Sequence, residues 1–193
     1  MQLRDPLPPT PHAGPAPADA RTAARLRRTP LYRAMVQAIQ RHRMLQPADG
    51  VLVGLSAGPD SSALLHALVL LAPRLRLRVE AAHVHHGIRG PQADRDAEAA
   101  EALAARLGVP FHRIDVDAPA HARAHRLSLE AAARALRLGA LEQTAATLGC
   151  RRVALGHTAD DQAETVLMWV LRGTGPAGLA GIPPVRGVFV RPL

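Results

Sequence analysis

The sequence predicts an α/β fold, a doubly wound and mainly parallel sheet with helices on both faces. Strand-like and helix-like segments alternate from residue 51 to residue 172, a pattern that favours parallel strands joined by right-handed helical crossovers. Residues 51–66 show this unit clearly, with a buried apolar strand, a turn of small residues and an amphipathic helix. For a chain of 193 residues, one domain is the default organisation.

The elements follow in a regular order. A first helix is predicted over residues 31–45. Four strands are predicted, each followed by a helix: strands at 51–55, 78–85, 110–116 and 152–156, and helices at 61–72, 92–108, 128–148 and 160–172. A last extended piece covers residues 188–190. Ligands of such sheets bind beyond the carboxyl ends of the strands, so the loops after the first, second and fourth strands are expected to carry the chemistry.

Composition limits the classes of protein to consider. Residues 1–29 are rich in Pro, Ala and Arg and are predicted to be a disordered extension, which leaves 30–193 as the domain. The formal charge of +8 favours an anionic partner such as nucleic acid, although five arginines and two aspartates lie in residues 1–30. A single cysteine, Cys150, excludes an intrachain disulfide and suits a reducing cytosol. No signal-peptide core or membrane-length apolar run is present, so we expect a cytoplasmic protein without a membrane partner.

A turn of small residues follows the first strand and is the clearest candidate site. It lies at a helix N-terminus, where free backbone N–H groups and the helix dipole attract anions. The chain contains no lysine, which excludes the Walker-type phosphate loop. A carboxylate in such a turn repels phosphate unless a metal intervenes, so Asp60 suggests a bridging Mg²⁺. An ordinary strand-to-helix turn is the alternative interpretation. The turn consists of Ser56, Ala57, Gly58, Pro59, Asp60 and Ser61.

The second strand ends in three closely spaced histidines, His83, His85 and His86. Strand alternation predicts His83 and His85 on one face and His86 nearer the other. No cysteine lies close by, so a polar strand end that faces a ligand is favoured over a zinc site. Gly87 is expected to make the turn, with Arg89 beside it.

The helix that starts after Ser128 presents two arginines on neighbouring positions, Arg134 and Arg137. Ser128 is a plausible N-cap, and Glu130 is spaced to pair with Arg134. A solvated helix face explains these charges as readily as contact with a phosphate backbone.

The loop and helix after the fourth strand collect a histidine and three carboxylates within eight residues, starting at His157. Capping explains one or two of these acidic residues. Asp161 and Glu164, three residues apart on a helix, share a face and suit a cation, either Mg²⁺ or an ammonium group. Arg172 ends this helix and is suited to phosphate.

Together these segments resemble the catalytic domain of the tRNA(Ile)-lysidine synthetases, within the PP-loop (N-type) ATP pyrophosphatase superfamily. The resemblance covers residues 31–193 and implies the adenine nucleotide alpha hydrolase-like fold. Four stretches carry it: 56–61, 83–89, 129–137 and 156–184. The last is the most specific, and it runs through Ala-Asp-Asp-Gln-Ala-Glu-Thr and Leu-Arg-Gly-Thr-Gly to Gly-Leu-Ala-Gly-Ile-Pro-Pro.

The resemblance implies a two-step reaction. ATP, assisted by Mg²⁺ at Asp60, binds with its phosphates on the 56–61 turn, and His83 belongs to the nucleotide site. The wobble cytidine of a tRNA(Ile) with a CAU anticodon attacks the α-phosphate, and L-lysine then displaces AMP to form lysidine. Asp161 and Glu164 would hold the lysine amine with His157 as a candidate base, Arg172 would meet phosphate charge, and Arg134 and Arg137 would contact tRNA or ATP.

Some features depart from the family or leave alternatives open. Ala57 stands where the family usually has a glycine, Leu138 stands where an aromatic residue is common, and the C-terminal tRNA-binding domains are expected to be absent. A thiolase-type PP-loop enzyme would need catalytic cysteines, which a lone Cys150 serves poorly. NAD and GMP synthetases share the first loop but not the 161–175 segment. A non-catalytic nucleotide- or RNA-binding remnant also stays open, and the family resemblance suggests a homodimer.

Overall fold

The computed structural model describes residues 20–88, 90–173 and 179–193. Within these residues, six strands form one sheet in the order β3-β2-β1-β4-β6-β5. The strands are β1 (Gly50–Gly54), β2 (Arg78–His85), β3 (Phe111–Asp115), β4 (Arg152–Leu155), β5 (Val185–Arg186) and β6 (Phe189–Val190). The helices are α1 (Ala20–Leu26), α2 (Pro30–Arg41), α3 (Pro59–Leu75), α4 (Pro91–Arg106), α5 (Ala118–His125), α6 (Leu129–Thr147) and α7 (Ala159–Leu171).

Strand β1 lies at the centre of the sheet, and its neighbours β2 and β4 both run parallel to it. The chain passes from β1 to β2 and β3 on one side, then crosses back to β4 on the other side. The strand order therefore reverses between β1 and β4, which is where open α/β sheets bind ligands. The predicted doubly wound, mainly parallel sheet is confirmed. The short β5–β6 pair is antiparallel.

Alternating residues of β1 anchor two hydrophobic cores, one on each face of the sheet. Val51 and Val53 pack on the face that carries α2, α3 and α4. Leu52 packs on the opposite face against Leu141 of α6. All three β1 side chains are fully buried, so the sheet is covered on both sides and only its ends are open to a ligand.

The N-terminal part differs from the prediction. Helix α1 falls inside the segment expected to be a disordered extension, 1–29, while residues 1–19 lie outside the described part of the chain. Helix α2 ends at Arg41 rather than at residue 45, because Arg43 adopts a left-handed backbone conformation with φ 48° that cannot continue the helix. Met44 and Leu45 are buried beyond the helix end.

Besides α1, two further elements were not predicted. Helix α5 follows β3 directly and is capped by Asp117, whose carboxylate accepts the backbone N–H of Ala120 at 2.8 Å. Pro119 lies in its first turn, where a missing N–H costs nothing. Strand β5 is only two residues long and pairs with β6 at the edge of the sheet.

Helix α7 is unusual because none of its residues is buried. Its second half exposes five consecutive apolar side chains: Leu167, Met168, Trp169, Val170 and Leu171. Among the described residues, no helix combines the length and the apolar character needed to cross a membrane.

Candidate active site

A cavity of about 870 Å³ opens beyond the carboxyl ends of β1, β2 and β4, at the point where the strand order reverses. It brings together seven of the residues singled out from the sequence: Ser56, Ser61, His83, Arg134, Arg137, His157 and Asp161. The rest of the turn, 57–60, lies beside these lining residues. Glu164 and Arg172 are exposed on α7 and do not line the cavity. The cavity is therefore the candidate active site.

Hydrogen bonds among serines hold the turn between β1 and α3. The Ser56 backbone N–H donates to Ser61 Oγ at 3.1 Å, and the Ser61 hydroxyl donates to the Gly58 carbonyl at 3.1 Å. The Ser62 hydroxyl donates to the same carbonyl at 2.8 Å. The Ser61 and Ser62 hydroxyls therefore have acceptors within the turn itself. In this geometry they fix the shape of the turn.

The backbone of the turn supplies the anion site. Among the described residues, no acceptor is bonded to the N–H groups of Ala57, Gly58, Asp60 and Ser61, and the first helical bond is from Ser62 to Gly58. Free N–H groups at a helix N-terminus, aligned with the helix dipole, bind phosphate oxygens. The turn is thus a cradle of four backbone donors.

Ala57 adopts a left-handed conformation with φ 62°, whereas Gly58 has φ −73°. A non-glycine residue in this region costs roughly 1–2 kcal/mol. The departure from the family pattern at residue 57 therefore falls where glycine would be preferred.

Gly156, which follows β4, brings the second loop against the turn and was not singled out from the sequence. A Cβ atom at this position would lie 2.9 Å from the Ser61 nitrogen and 3.1 Å from the Asp60 carbonyl carbon. Both are backbone atoms that cannot rotate away. Glycine is required here because α3 begins in direct contact with the end of β4.

The three histidines at the end of β2 face different surroundings from those predicted. His83 is buried and donates from Nδ1 to the Leu55 carbonyl at 2.8 Å, which leaves Nε2 as an acceptor in the neutral ring. Burial is the main cause that lowers the pKa of His83. His86 lines the cavity as well, because it lies past the strand end and no longer follows the alternation.

His85 turns away from the cavity towards Asp94 and Asp115, at 3.5 and 3.6 Å. Within the part of the chain that the structure describes, no three His, Cys, Asp or Glu side chains are grouped to hold a metal.

Arg134 and Arg137 on α6 make one wall of the cavity. Within the described part of the chain, no carboxylate lies within 4.0 Å of either guanidinium, so the expected pair between Glu130 and Arg134 is not formed. The Nε of Arg137 is buried without a hydrogen-bond partner. Burial, and then the neighbouring Arg134, lower the pKa of Arg137. Two adjacent cations without a counter-ion favour an anionic ligand.

Asp161 serves partly as a helix cap. Its Oδ2 accepts the Thr158 backbone N–H at 2.7 Å and the Thr158 hydroxyl at 3.2 Å. Its position in the cavity lining leaves the other carboxylate oxygen for a ligand. Glu164, one turn further along α7, is exposed and does not complete a two-carboxylate pocket with Asp161. Arg172 lies over the ring of Trp169 at 5.9 Å.

His157 is held by Arg191, a residue that sequence reasoning missed. The Arg191 Nε–H donates to His157 Nδ1 at 3.2 Å, and Arg191 Nη1 donates to the Pro183 carbonyl at 2.8 Å. Burial and then the Arg191 charge lower the pKa of His157 from 6.5 to about 4. Because Nδ1 accepts a hydrogen bond from Arg191, the neutral ring carries its own proton on Nε2.

Gln162 fastens the following segment onto α7. Its Oε1 accepts the Ile182 backbone N–H at 2.7 Å, and its Nε2 donates to the Ala180 carbonyl at 3.4 Å. Gly181, with φ 61°, packs against this amide so closely that a Cβ would lie 2.2 Å from Nε2. Thr174 and Gly175 belong to the segment that resembles the family. Both residues lie outside the described part of the chain.

Comparison with known families fits this geometry. A family profile described as "PP-loop domain" matches residues 29–193. The chain belongs to the PP-loop family. The 56–61 turn lies within the matched residues, and the cavity beside it is the site at which the family resemblance predicted a nucleotide.

Relatives of this PP-loop domain are longer proteins. The tRNA(Ile)-lysidine synthase of Symbiobacterium thermophilum is 45% identical over 168 residues, which cover 85% of this chain and 35% of the relative. The enzyme of the same name from Parabacteroides distasonis is 45% identical over 155 residues, 80% of this chain and 34% of the relative. The chain spans about a third of the length of these relatives.

Solved structures share the PP-loop fold at low sequence identity. The U34-tRNA thiolase NcsA from Methanococcus maripaludis superposes with a TM-score of 0.69 at 19% identity, over 90% of this chain and 60% of that one. The glutamine-dependent NAD+ synthetase from Acinetobacter baumannii gives 0.50 at 22% identity, over 77% of this chain and 28% of that one. These similarities establish the fold and do not favour the chemistry of either enzyme.

The resemblance implied Mg²⁺ at Asp60, and the residues present fit that ion. Asp60 is exposed at the second position of α3, within the turn that carries the free N–H groups. Mg²⁺ commonly binds one or two carboxylates together with substrate phosphates, so a single protein carboxylate here is sufficient.

Proposed function

We propose that this domain is the catalytic part of a tRNA(Ile)-lysidine synthetase, which uses ATP to adenylate the wobble cytidine of a tRNA(Ile) with a CAU anticodon and then joins L-lysine to it. The observation that carries the proposal is a turn with four free backbone N–H groups beside a cavity that Arg134 and Arg137 line without a carboxylate partner. The names of the relatives support the choice of reaction within the PP-loop family.

The first step needs donors where pyrophosphate leaves. The N–H groups of Ala57, Gly58, Asp60 and Ser61 would bind the phosphates of ATP without reorganisation, because the serine hydrogen bonds already fix the turn. Arg137 and Arg134 would neutralise phosphate charge from the α6 wall. A Mg²⁺ ion at Asp60 would offset the charge of the departing pyrophosphate. His83, with Nε2 free to accept, would take a donor group of the nucleotide.

The second step needs a place for the lysine amine. Asp161 keeps one carboxylate oxygen for an ammonium group after capping α7. His157 suits a different role from the base first expected. Its Nδ1 lone pair is engaged by Arg191 and its pKa is lowered to about 4, so at neutral pH it would donate from Nε2 to a substrate oxygen or phosphate. Glu164 has no place in this pocket, and we assign Arg172 to contact with RNA outside the cavity.

The decisive experiment measures two activities of the 193-residue chain. Pyrophosphate exchange into ATP and transfer of labelled lysine are followed with a tRNA(Ile) transcript that bears CAU, with a transcript that bears another anticodon as the control. We expect both activities with the CAU transcript. Asp60→Ala is expected to lower pyrophosphate exchange and lysine transfer on the order of 100-fold. Glu142→Gln, which removes an exposed carboxylate of α6, is the control and should leave the two activities unchanged.

The alternatives give different results in the same assay. Sulfur transfer without a need for lysine would replace the proposal with a thiolase. ATP binding without exchange or transfer would replace it with a nucleotide-binding remnant.

Two coarser expectations accompany the proposal. A cytoplasmic location follows from a tRNA substrate and agrees with the single reduced cysteine, Cys150. A homodimer is supported by the exposed apolar residues 167–171 of α7. Light scattering on the wild type and on Leu171→Glu tests it, since the dimer is expected to dissociate when a charge enters that surface.

A further inference from the structure

Nearly all of the net charge of this protein lies in residues 20–48, which form the first two helices and the turns that follow each of them. Residues 20–48 contain seven arginines and no acidic residue, whereas residues 49–193 contain sixteen arginines and fourteen acidic residues. Part of this charge falls in the segment that the sequence suggested was an extension. The structure places it instead on α1, α2 and the turn that follows them.

The charge gathers along a groove between α2 and the second half of α3. Two adjoining cavities of about 740 and 260 Å³ share Val36 and Arg74 and together form this α2–α3 groove. Its arginines are Arg27, Arg33, Arg43 and Arg74, and no acidic residue lines it. In the described part of the chain, none of these four guanidinium groups has a carboxylate within 4.0 Å.

The groove is separate from the candidate active site. Helix α3 begins in the 56–61 turn with Pro59 and ends at Leu75. At 1.5 Å per residue, Arg74 at the far end of the helix lies about 22 Å from the turn. A ligand in the groove would therefore not compete with a nucleotide in the cavity, and one extended polyanion could reach both.

We propose that the α2–α3 groove binds the phosphodiester backbone of RNA. Guanidinium groups without counter-ions bind phosphate through charge-assisted hydrogen bonds, and a row of them along a groove tracks a backbone rather than one small anion. The use of arginine carries no information by itself, since the chain has no lysine. The informative feature is that positive charge is separated from negative charge in residues 20–48. By contrast, α4 carries Arg95 and Arg106 together with four carboxylates.

A membrane surface fits the groove less well. A basic helix that binds lipid needs a free apolar face to insert. The apolar face of α2 is already used, because Tyr32, Met35 and Ile39 are 9%, 0% and 3% exposed and pack into the core.

The groove itself is tested by a triple variant, Arg27→Gln with Arg33→Gln and Arg74→Gln. The matched control removes the same charge from three exposed arginines that line neither the groove nor the cavity, Arg95, Arg106 and Arg123, each changed to Gln. Binding of a fluorescent tRNA transcript is measured from low to moderate salt. Each lost phosphate contact lowers the slope of log affinity against log salt by roughly 0.7–0.9, so the groove variant should lose about 2–3 units of slope and about tenfold or more in affinity.

The outcomes are decisive either way. Equal loss in the groove and control variants would mean that only net charge matters and would overturn the proposal, as would no loss in either. Binding of poly-glutamate that depends on the groove as strongly as RNA binding does would assign it to acidic peptides instead.

That the RNA in the groove is tRNA rests on the proposed function. The experiment nevertheless distinguishes failure of the proposed function from failure of the groove proposal. Both triple variants should keep ATP binding. Lysine transfer that fails in the wild type while the groove still governs RNA affinity would reject only the proposed function. Lysine transfer that succeeds without any effect of the groove variant would reject only the groove.

Discussion

Arg191 Nε lies 3.2 Å from His157 Nδ1, and this contact joins the end of the last strand to the loop after β4. The two residues are 34 positions apart, and Arg191 is 9% exposed. A buried guanidinium that donates to an imidazole keeps that ring neutral and selects its tautomer. Arg191 is therefore a positioning residue for His157.

Replacing Arg191 tests this role through the pKa of His157. In Arg191→Gln we expect that pKa to rise from about 4 towards 6.5, because the cation that opposes protonation is removed. Arg191→Lys should keep it low, since the charge remains. NMR titration of the imidazole signals, assigned with His157→Gln, measures the value. An unchanged pKa in Arg191→Gln would show that burial alone sets it.

His157 also predicts how stability changes with pH. Its folded pKa is about 4 and its ordinary value is 6.5, so between these limits the unfolded chain binds more protons than the folded one. The free energy of unfolding should therefore fall as the pH drops from 6.5 to 4. Urea unfolding at pH 7, 6 and 5 should show a smaller fall in His157→Gln. A slope equal to that of the wild type would exclude His157 as a contributor.

Gly156→Ala should damage the site more than its small size suggests. The new methyl group would lie 2.9 Å from the Ser61 backbone nitrogen and force α3 away from β4. We expect at least about tenfold weaker ATP binding and a stability loss of about 1–3 kcal/mol. Gly139→Ala on α6 is the matched control, because its Cβ meets no neighbour within 4 Å. That change should stabilise the helix by up to about 1 kcal/mol.

Ala57→Gly should make the protein more stable. The left-handed conformation at φ 62° penalises alanine, and relief of this strain outweighs the greater freedom of glycine in the unfolded chain. The expected gain is up to about 1 kcal/mol in urea unfolding. Ala63→Gly, in the interior of α3, should instead cost about 1 kcal/mol. Similar losses in both variants would contradict the strain at residue 57.

Gln162→Ala should loosen residues 180–182 from α7, because both hydrogen bonds of the amide are lost. Chymotrypsin is expected to cleave after Leu179, which is 55% exposed, several times faster than in the wild type. Gln143→Ala, an exposed glutamine on α6, serves as the control. Mass spectrometry of the early fragments locates the cut, and equal rates in the two variants would refute the role of Gln162.

Sequence reasoning located the fold well because β1 is a continuous apolar run and strand-like segments alternate with helix-like ones along the chain. The prediction that the 56–61 turn binds phosphate stays a prediction, although the structure leaves four of its backbone N–H groups free. Sequence reasoning missed α5, where Pro119 obscured a helix that tolerates proline in its first turn. It also extended the first helix to residue 45, because the buried Met44 and Leu45 continue an apolar pattern after the helix has ended.

The candidate site was predicted only in part, because side-chain contacts between distant segments leave no local signal. Asp161 and Glu164 share a helix face, but only Asp161 lines the cavity. One of its two carboxylate oxygens, Oδ2, caps α7. The serine hydroxyls of the turn bond to one another and to the turn's backbone, and Arg191 reaches His157 from the end of β6, the strand that pairs with β4. The sequence did offer one signal for Gly156, because a glycine directly after a strand often marks a close approach of another backbone segment.

Strand β6 pairs with β4 through Val153–Phe189 and Ala154–Val190. Arg191 follows directly, so these two residue pairs set where its guanidinium meets His157. A substitution at the buried Phe189 would therefore be felt in the cavity as a change at a histidine on another strand's loop. The shortest parallel pairing of the sheet thus acts as an outer support of the site.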